Sequence, residues 1–240
     1  MQQRPDPLPD YHWTGSSPSD AGAPNVAVGL DLSPVRPYRP DAELPAAPAP
    51  QPGDLVPVAH PAIRVVAAYW HEGWPHAIPG TWLRPAAAAR LYRAAESLPT
   101  GFGLAVWDGW RDPRLQQELY DAYYADPNLP PGFVSEPDPE PAHCPPHASG
   151  GTVDVTLTWQ QQPLNLGTPF DAFVPAAAAD ALEPDGPPLT RNLRRLLAQT
   201  MTAAGFVVLS TEWWHWEYGT RLWAAATGQA PRYGRTSLPD

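Results

Sequence analysis

Two hydrophobic periods alternate along the chain, and together they predict most of its elements. Residues 63–69, Ile-Arg-Val-Val-Ala-Ala-Tyr, are β-branched and apolar enough for a strand. The aromatic run over 69–76 reads as a loop. Pro85 suits a first helical turn, and Leu91, Ala94, Ala95 and Leu98 then share a face, so the spacing predicts a helix over 85–98. Residues 103–107 form a short buried strand that delivers Asp108-Gly109-Trp110-Arg111. Asp112 followed by Pro113 is an N-cap with proline at the first helical position, opening a helix to about Tyr124. Thr190 is placed to cap a helix to Ala204, with Leu193, Leu196, Leu197 and Met201 on one face and Gly205 as its stop. Residues 206–209 read as a strand, with 213–218 as its hairpin partner. Helices and short strands without a βαβ rhythm predict an α+β fold: a small mixed or antiparallel sheet with flanking helices.

One alternating stretch carries more than packing. In Val153-Asp154-Val155-Thr156-Leu157 the polar residues face one side and the apolar residues the other. His147 lies seven residues before Asp154, with Gly150 and Gly151 between them to let the backbone turn. An imidazole and a carboxylate both suit zinc. Further along, Glu212-Trp213-Trp214-His215 adds a second imidazole. A catalytic zinc needs three protein ligands and an open position, and His147, Asp154 and His215 supply that set, with the site at the sheet. A spare carboxylate beside the metal would serve as general base towards zinc-bound water. Spacing leaves two candidates: Glu212, if the backbone bends before His215, or Glu217, two residues after His215 on the same strand face.

Composition narrows the partners. The 240 residues carry a net charge of −10, all 15 basic residues are arginine, and the single cysteine, Cys144, excludes an internal disulfide. The acidity disfavours nucleic acid and anionic membranes. No apolar run approaches the ~20 residues that span a bilayer, and residues 1–6 have no signal-peptide character, so a soluble, cytoplasmic protein is expected. Residues 1–60 are proline-rich and read as an N-terminal arm, either disordered or wrapped around the domain through Tyr11, Trp13, Leu32 and Tyr38. Residues 61–240 read as one catalytic domain.

The motifs Trp107-Asp108-Gly109-Trp110-Arg111, His147 to Asp154, Gly167-Thr168-Pro169-Phe170-Asp171 and Glu212-Trp213-Trp214-His215 occur in an order that resembles the zinc D-alanyl-D-alanine dipeptidases of the VanX type. The likeness covers about residues 62–220. It implies that His147, Asp154 and His215 bind zinc and that Glu212 is the base. It also implies that Arg111 stabilises the oxyanion, with Asp108 orienting it, and that Asp171 receives the ammonium of a small D,D-peptide. The sequence departs from the family pattern at Pro145, where a serine is usual, and at Ser149, where arginine is frequent. A D,D-carboxypeptidase on longer wall peptides and a non-catalytic zinc module closed by Cys144 or His143 are the competing expectations.

Overall fold

The computed structural model describes residues 15–26, 32–129 and 134–239. Tyr11, His12 and Trp13, two of them candidate anchors of the arm, lie outside the described residues. In chain order the elements are β1 (Val56–Pro57), β2 (Ile63–Val65), α1 (Ala68–Glu72), β3 (Trp82–Leu83), α2 (Pro85–Glu96), β4 (Phe102–Asp108), α3 (Pro113–Tyr123), β5 (Thr152–Trp159), β6 (Gln162–Pro163), α4 (Pro188–Ala203), β7 (Val207–Val208), β8 (His215–Glu217) and α5 (Arg221–Thr227). The main sheet runs β2-β4-β5-β8-β7, with β6 added to the end of β5. The β2–β4 pair is parallel and the other pairs are antiparallel, so the sheet is mixed as expected.

The apolar faces read from the sequence form the core. Ala87, Ala88, Leu91, Ala94 and Ala95 of α2 are buried, as are Leu193, Leu196, Leu197 and Met201 of α4. They join Leu104, Val106, Val153, Val155 and Leu157 of the central strands in one cluster. Each buried Val, Leu or Met among them contributes roughly 1.5–3 kcal/mol by leaving water, and each alanine methyl less.

Three local expectations are corrected. The strand predicted over 63–69 stops at Val65, because Ala67 adopts a left-handed conformation (φ 50°) and opens α1, making helix of residues expected to be loop. That conformation costs an L-residue roughly 1–2 kcal/mol, and it aims Tyr69 inwards, where it is 4% exposed. α4 begins at Pro188, so Thr190 sits inside its first turn rather than at the cap; proline at N1 sets that start. Within residues 213–218 only β8 is strand, and residues 213–214 form a turn.

The described residues before β1 pack in part against this body. Val35 and Leu55 are buried, and Leu32 packs on the core. Ser16 exchanges backbone bonds with Pro163 and Asn165.

Candidate metal and catalytic site

Three neighbouring strands bring three predicted residues side by side. Asp108 of β4 is in register with Asp154 of β5, and Asp154 with His215 of β8. A register irregularity between Val106 and Asp108 makes the first pairing possible. Val106 faces Val155, so a regular ladder would set Trp107 opposite Asp154. The extra residue puts Asp108 there instead, as bulges beside functional sites do.

His147 arrives from a 3-10 turn, His147–Ser149, which Gly150 ends at φ 73°. A side chain on Gly151 would run into the Tyr218 carbonyl oxygen, so both glycines are needed where the sequence places them. Behind the turn, the fully buried Arg84 donates from Nε to the Ser149 carbonyl (2.9 Å), and its backbone N–H reaches the Gly150 carbonyl (2.8 Å).

The ring partners set which imidazole nitrogens face inwards. His147 Nδ1 lies 2.7 Å from the Gly109 carbonyl, which it can serve only as a donor, leaving the Nε2 lone pair towards Asp154 Oδ2 at 3.4 Å. His215 Nε2 lies 3.0 Å from Glu217 Oε1, leaving Nδ1 3.2 Å from Asp154 Oδ1. One ligand atom from each of His147, Asp154 and His215 falls within 4.8 Å of the others, and all three residues are buried. Asp154 Oδ1 is sealed from solvent without a well-formed hydrogen bond. A buried carboxylate oxygen left so between two imidazoles is the donor set a metal ion completes.

The charges agree with this. Burial, then Arg111, drives the His147 imidazole down to about 3. Burial opposes charge on His215 too, but Asp154 and Glu217 outweigh it and hold its pKa well above the usual range. Burial raises Asp154, yet His147, His215 and Arg111 bring it below an ordinary carboxylate. A cation held by these three residues would be stabilised by the buried carboxylates around it.

Around the cluster stand the remaining candidates. Glu212 lies just before the 213–214 turn, so the backbone bends and brings Glu212 Oε2 to 3.7 Å from His215 Nδ1. Burial pushes its carboxyl up to about 8. Glu217 instead bonds the far side of the His215 ring, so the two acids are divided between the two faces of one imidazole. Arg111 does not pair with Asp112, which bonds Arg114 instead. Its Nε donates to Asp108 (2.9 Å), Nη1 to Gln116 (2.9 Å) and Nη2 to the Tyr69 hydroxyl (3.4 Å), and Nη2 is 3.9 Å from Asp154. Burial and Asp154 lift Asp108 to about 7 against the pull of Arg111. Asp171, at φ 57°, accepts hydrogen bonds from Tyr69 (2.6 Å) and Tyr123 (3.1 Å), and burial raises it to about 6.

His147, Asp154, His215, Glu212, Glu217, Arg111, Asp171, Tyr69 and Tyr123 line one cleft of about 580 Å3. His143 also lines it but pairs with Asp138, and Cys144 is buried beside Pro145; neither joins the metal-ligating group found among the described residues. Tyr69, Gln116, Tyr123 and the second carboxylate role of Glu217 were not assigned from sequence. Tyr69 and Tyr123 lie outside the four motifs and carried no local signal. Glu217 had one, its two-residue offset from His215 on a strand.

The D-ala-D-ala dipeptidase family of M15 peptidases matches residues 83–231. The chain is 33% identical over 119 residues to a D-alanyl-D-alanine dipeptidase of Escherichia coli K12, covering 49% of this chain and 56% of that protein. It is 25% identical over 195 residues to one of Synechocystis, covering 69% and 78%, and 32% identical over 157 residues to one of Streptomyces coelicolor, covering 58% and 72%. The chain therefore spans little more than half of the Escherichia coli relative. Because the match takes in well over half of this chain and contains the whole cluster, the resemblance read from four motifs is borne out, and the protein belongs to the D-ala-D-ala dipeptidase family of peptidases.

Proposed function

We propose that the protein hydrolyses D-alanyl-D-alanine, or a similar D,D-dipeptide, with a zinc ion held by His147, Asp154 and His215. The observation that carries this is Glu212: a buried carboxyl within 4 Å of a ligand imidazole, kept off the far ring face by Glu217, with its pKa raised to about 8. Two imidazoles and one carboxylate suit zinc among the common divalent ions. Zinc there would polarise the peptide carbonyl and acidify a water to a pKa near 7.

The chain's own groups do the rest. Glu212 takes the proton of the attacking water and passes it to the leaving amine, a role that its place beside the three ligand residues allows. Arg111, held by Asp108, Gln116 and Tyr69, stays protonated and donates to the carbonyl oxygen as that oxygen gains charge. Asp171, its carboxyl set by two tyrosine hydroxyls, takes the substrate ammonium, which favours a peptide with a free N-terminus. A non-catalytic zinc module would use neither Glu212 nor Arg111. The catalytic unit in this proposal is residues 61–240, preceded by the proline-rich arm of residues 1–60. Within the described residues no helix is long and apolar enough to cross a membrane.

The test is alanine release from D-Ala-D-Ala by the zinc-loaded protein, compared with release from an N-acylated pentapeptide ending in D-Ala-D-Ala. Release from the dipeptide supports the proposal. Release from the acylated peptide alone would make the protein a D,D-carboxypeptidase, and release from neither would remove the catalytic reading.

A further inference from the structure

Part of the cleft wall comes from outside the matched family segment. Residues 83–231 carry that match, yet Pro40, Glu43 and Leu44 also line the cleft. Arg221, the first residue of α5, holds them in place. Its Nε donates to the Pro45 carbonyl at 2.8 Å and its Nη2 to the Leu44 carbonyl at 3.0 Å. The Ala47 N–H donates to the Ala142 carbonyl at 2.8 Å, which ties this segment to the chain just before Cys144. On either side, Arg39 pairs with Asp180 through two bonds of 2.9 Å, and Arg84 Nη1 donates to the Gln51 carbonyl at 3.1 Å. Prolines at 40, 45, 48 and 50 restrict the backbone between these anchors. The segment is thus fixed at both ends and in the middle, and it presents Leu44 and Glu43 to the cleft.

Sheet order gives this wall a direction. Asp171 is bonded by Tyr69, which follows β2, and by Tyr123 of α3. Arg221 follows β8, and in the order β2-β4-β5-β8-β7 the Asp108 and Asp154 positions lie between β2 and β8, the strand that carries His215. A peptide with its ammonium at Asp171 and its scissile bond at the metal cluster therefore sends its C-terminal end towards the segment clamped by Arg221.

We propose that residues 40–44 are the end wall of the substrate cleft on its C-terminal side, and that Arg221 is the positioning residue that keeps them there. The wall limits the substrate to two residues with a free terminal carboxylate. This rests on the dipeptidase reading above and adds to it a chain-specific determinant of length.

The test compares kcat/KM for D-Ala-D-Ala with that for D-Ala-D-Ala-D-Ala, whose extra residue would meet the wall. The full chain prefers the dipeptide. Arg221→Ala and, independently, Leu44→Gly should narrow that preference by roughly tenfold or more, the discrimination a lost steric contact supplies. Arg221→Lys, which keeps a donor for the two carbonyls, should retain most of it. An unchanged preference in both Arg221→Ala and Leu44→Gly overturns the proposal, as does equal use of both peptides by the full chain. Cys144, the single thiol, gives a readout that needs no turnover: it is 5% exposed and lines the same cleft. Its labelling by DTNB should be about tenfold faster in Arg221→Ala than in the parent, in line with the opening of a site otherwise shielded, and equal rates overturn the wall. If the zinc-loaded parent leaves D-Ala-D-Ala intact, the dipeptidase reading fails, and the labelling rates still decide whether the wall is there.

Discussion

At the scale of single residues, two acids three and two positions from one histidine divide the work around it. Glu212 faces the same ring nitrogen as Asp154, while Glu217 bonds the other nitrogen. Their substitutions should therefore separate. Glu212→Gln should lower kcat by about 10²–10⁴-fold, the usual worth of a general base, with zinc stoichiometry by metal analysis unchanged. Glu217→Gln should weaken zinc affinity by about 10–100-fold, the effect of removing a carboxylate behind a ligand imidazole, and saturating zinc should restore most of kcat. Competition titration with a chelating dye measures the second effect; loss of zinc from the Glu212 variant would contradict the first. Spacing alone could not choose between these acids. The choice depends on the turn at 213–214, which interrupts the strand expected from the aromatic residues.

Elements carry the site by register and by their ends. α3 begins at Asp112, whose carboxylate accepts from the Arg114 N–H at 2.8 Å, and it carries Gln116 and Tyr123 to Arg111 and Asp171. Asp112→Ala should cost about 1 kcal/mol of stability, read by urea unfolding. Burial raises the Asp112 carboxyl, but the bonds from Arg114 outweigh it, so its folded pKa lies below the unfolded value. The group's contribution is therefore complete above the unfolded pKa of about 3.9 and is lost as pH falls through the folded value. The difference between parent and variant should persist at pH 7 and shrink in acid; a constant difference down to pH 2 would contradict the assignment. The cap was legible because Asp-Pro is a local signal. The left-handed Ala67 that ends β2 was not, since nothing in Val-Val-Ala-Ala announces it. Packing of Tyr69 between Arg111, Asp171 and Phe170 offsets the strain.

For the whole molecule, the proposed metal site is a meeting of distant segments, so metal binding should stabilise the entire fold. Zinc at 100 times its dissociation constant should add about 2.7 kcal/mol to the unfolding free energy, and a chelator should lower Tm correspondingly in calorimetry. An unchanged Tm would mean that the three residues do not bind zinc in the native state. Chemistry-bearing motifs, their order and the α+β pattern were determined by sequence, because ligand identity, cap residues and hydrophobic period are local properties that a short window contains. Four further matters were decided only by tertiary structure: the bulge that sets Asp108 beside Asp154, the division of Glu212 and Glu217 between the nitrogens of His215, the tyrosines that hold Asp171, and the placement of residues 40–44 against the cleft. Each depends on which strands and loops become neighbours, and that is settled by burying the shared core rather than by the preference of any one segment.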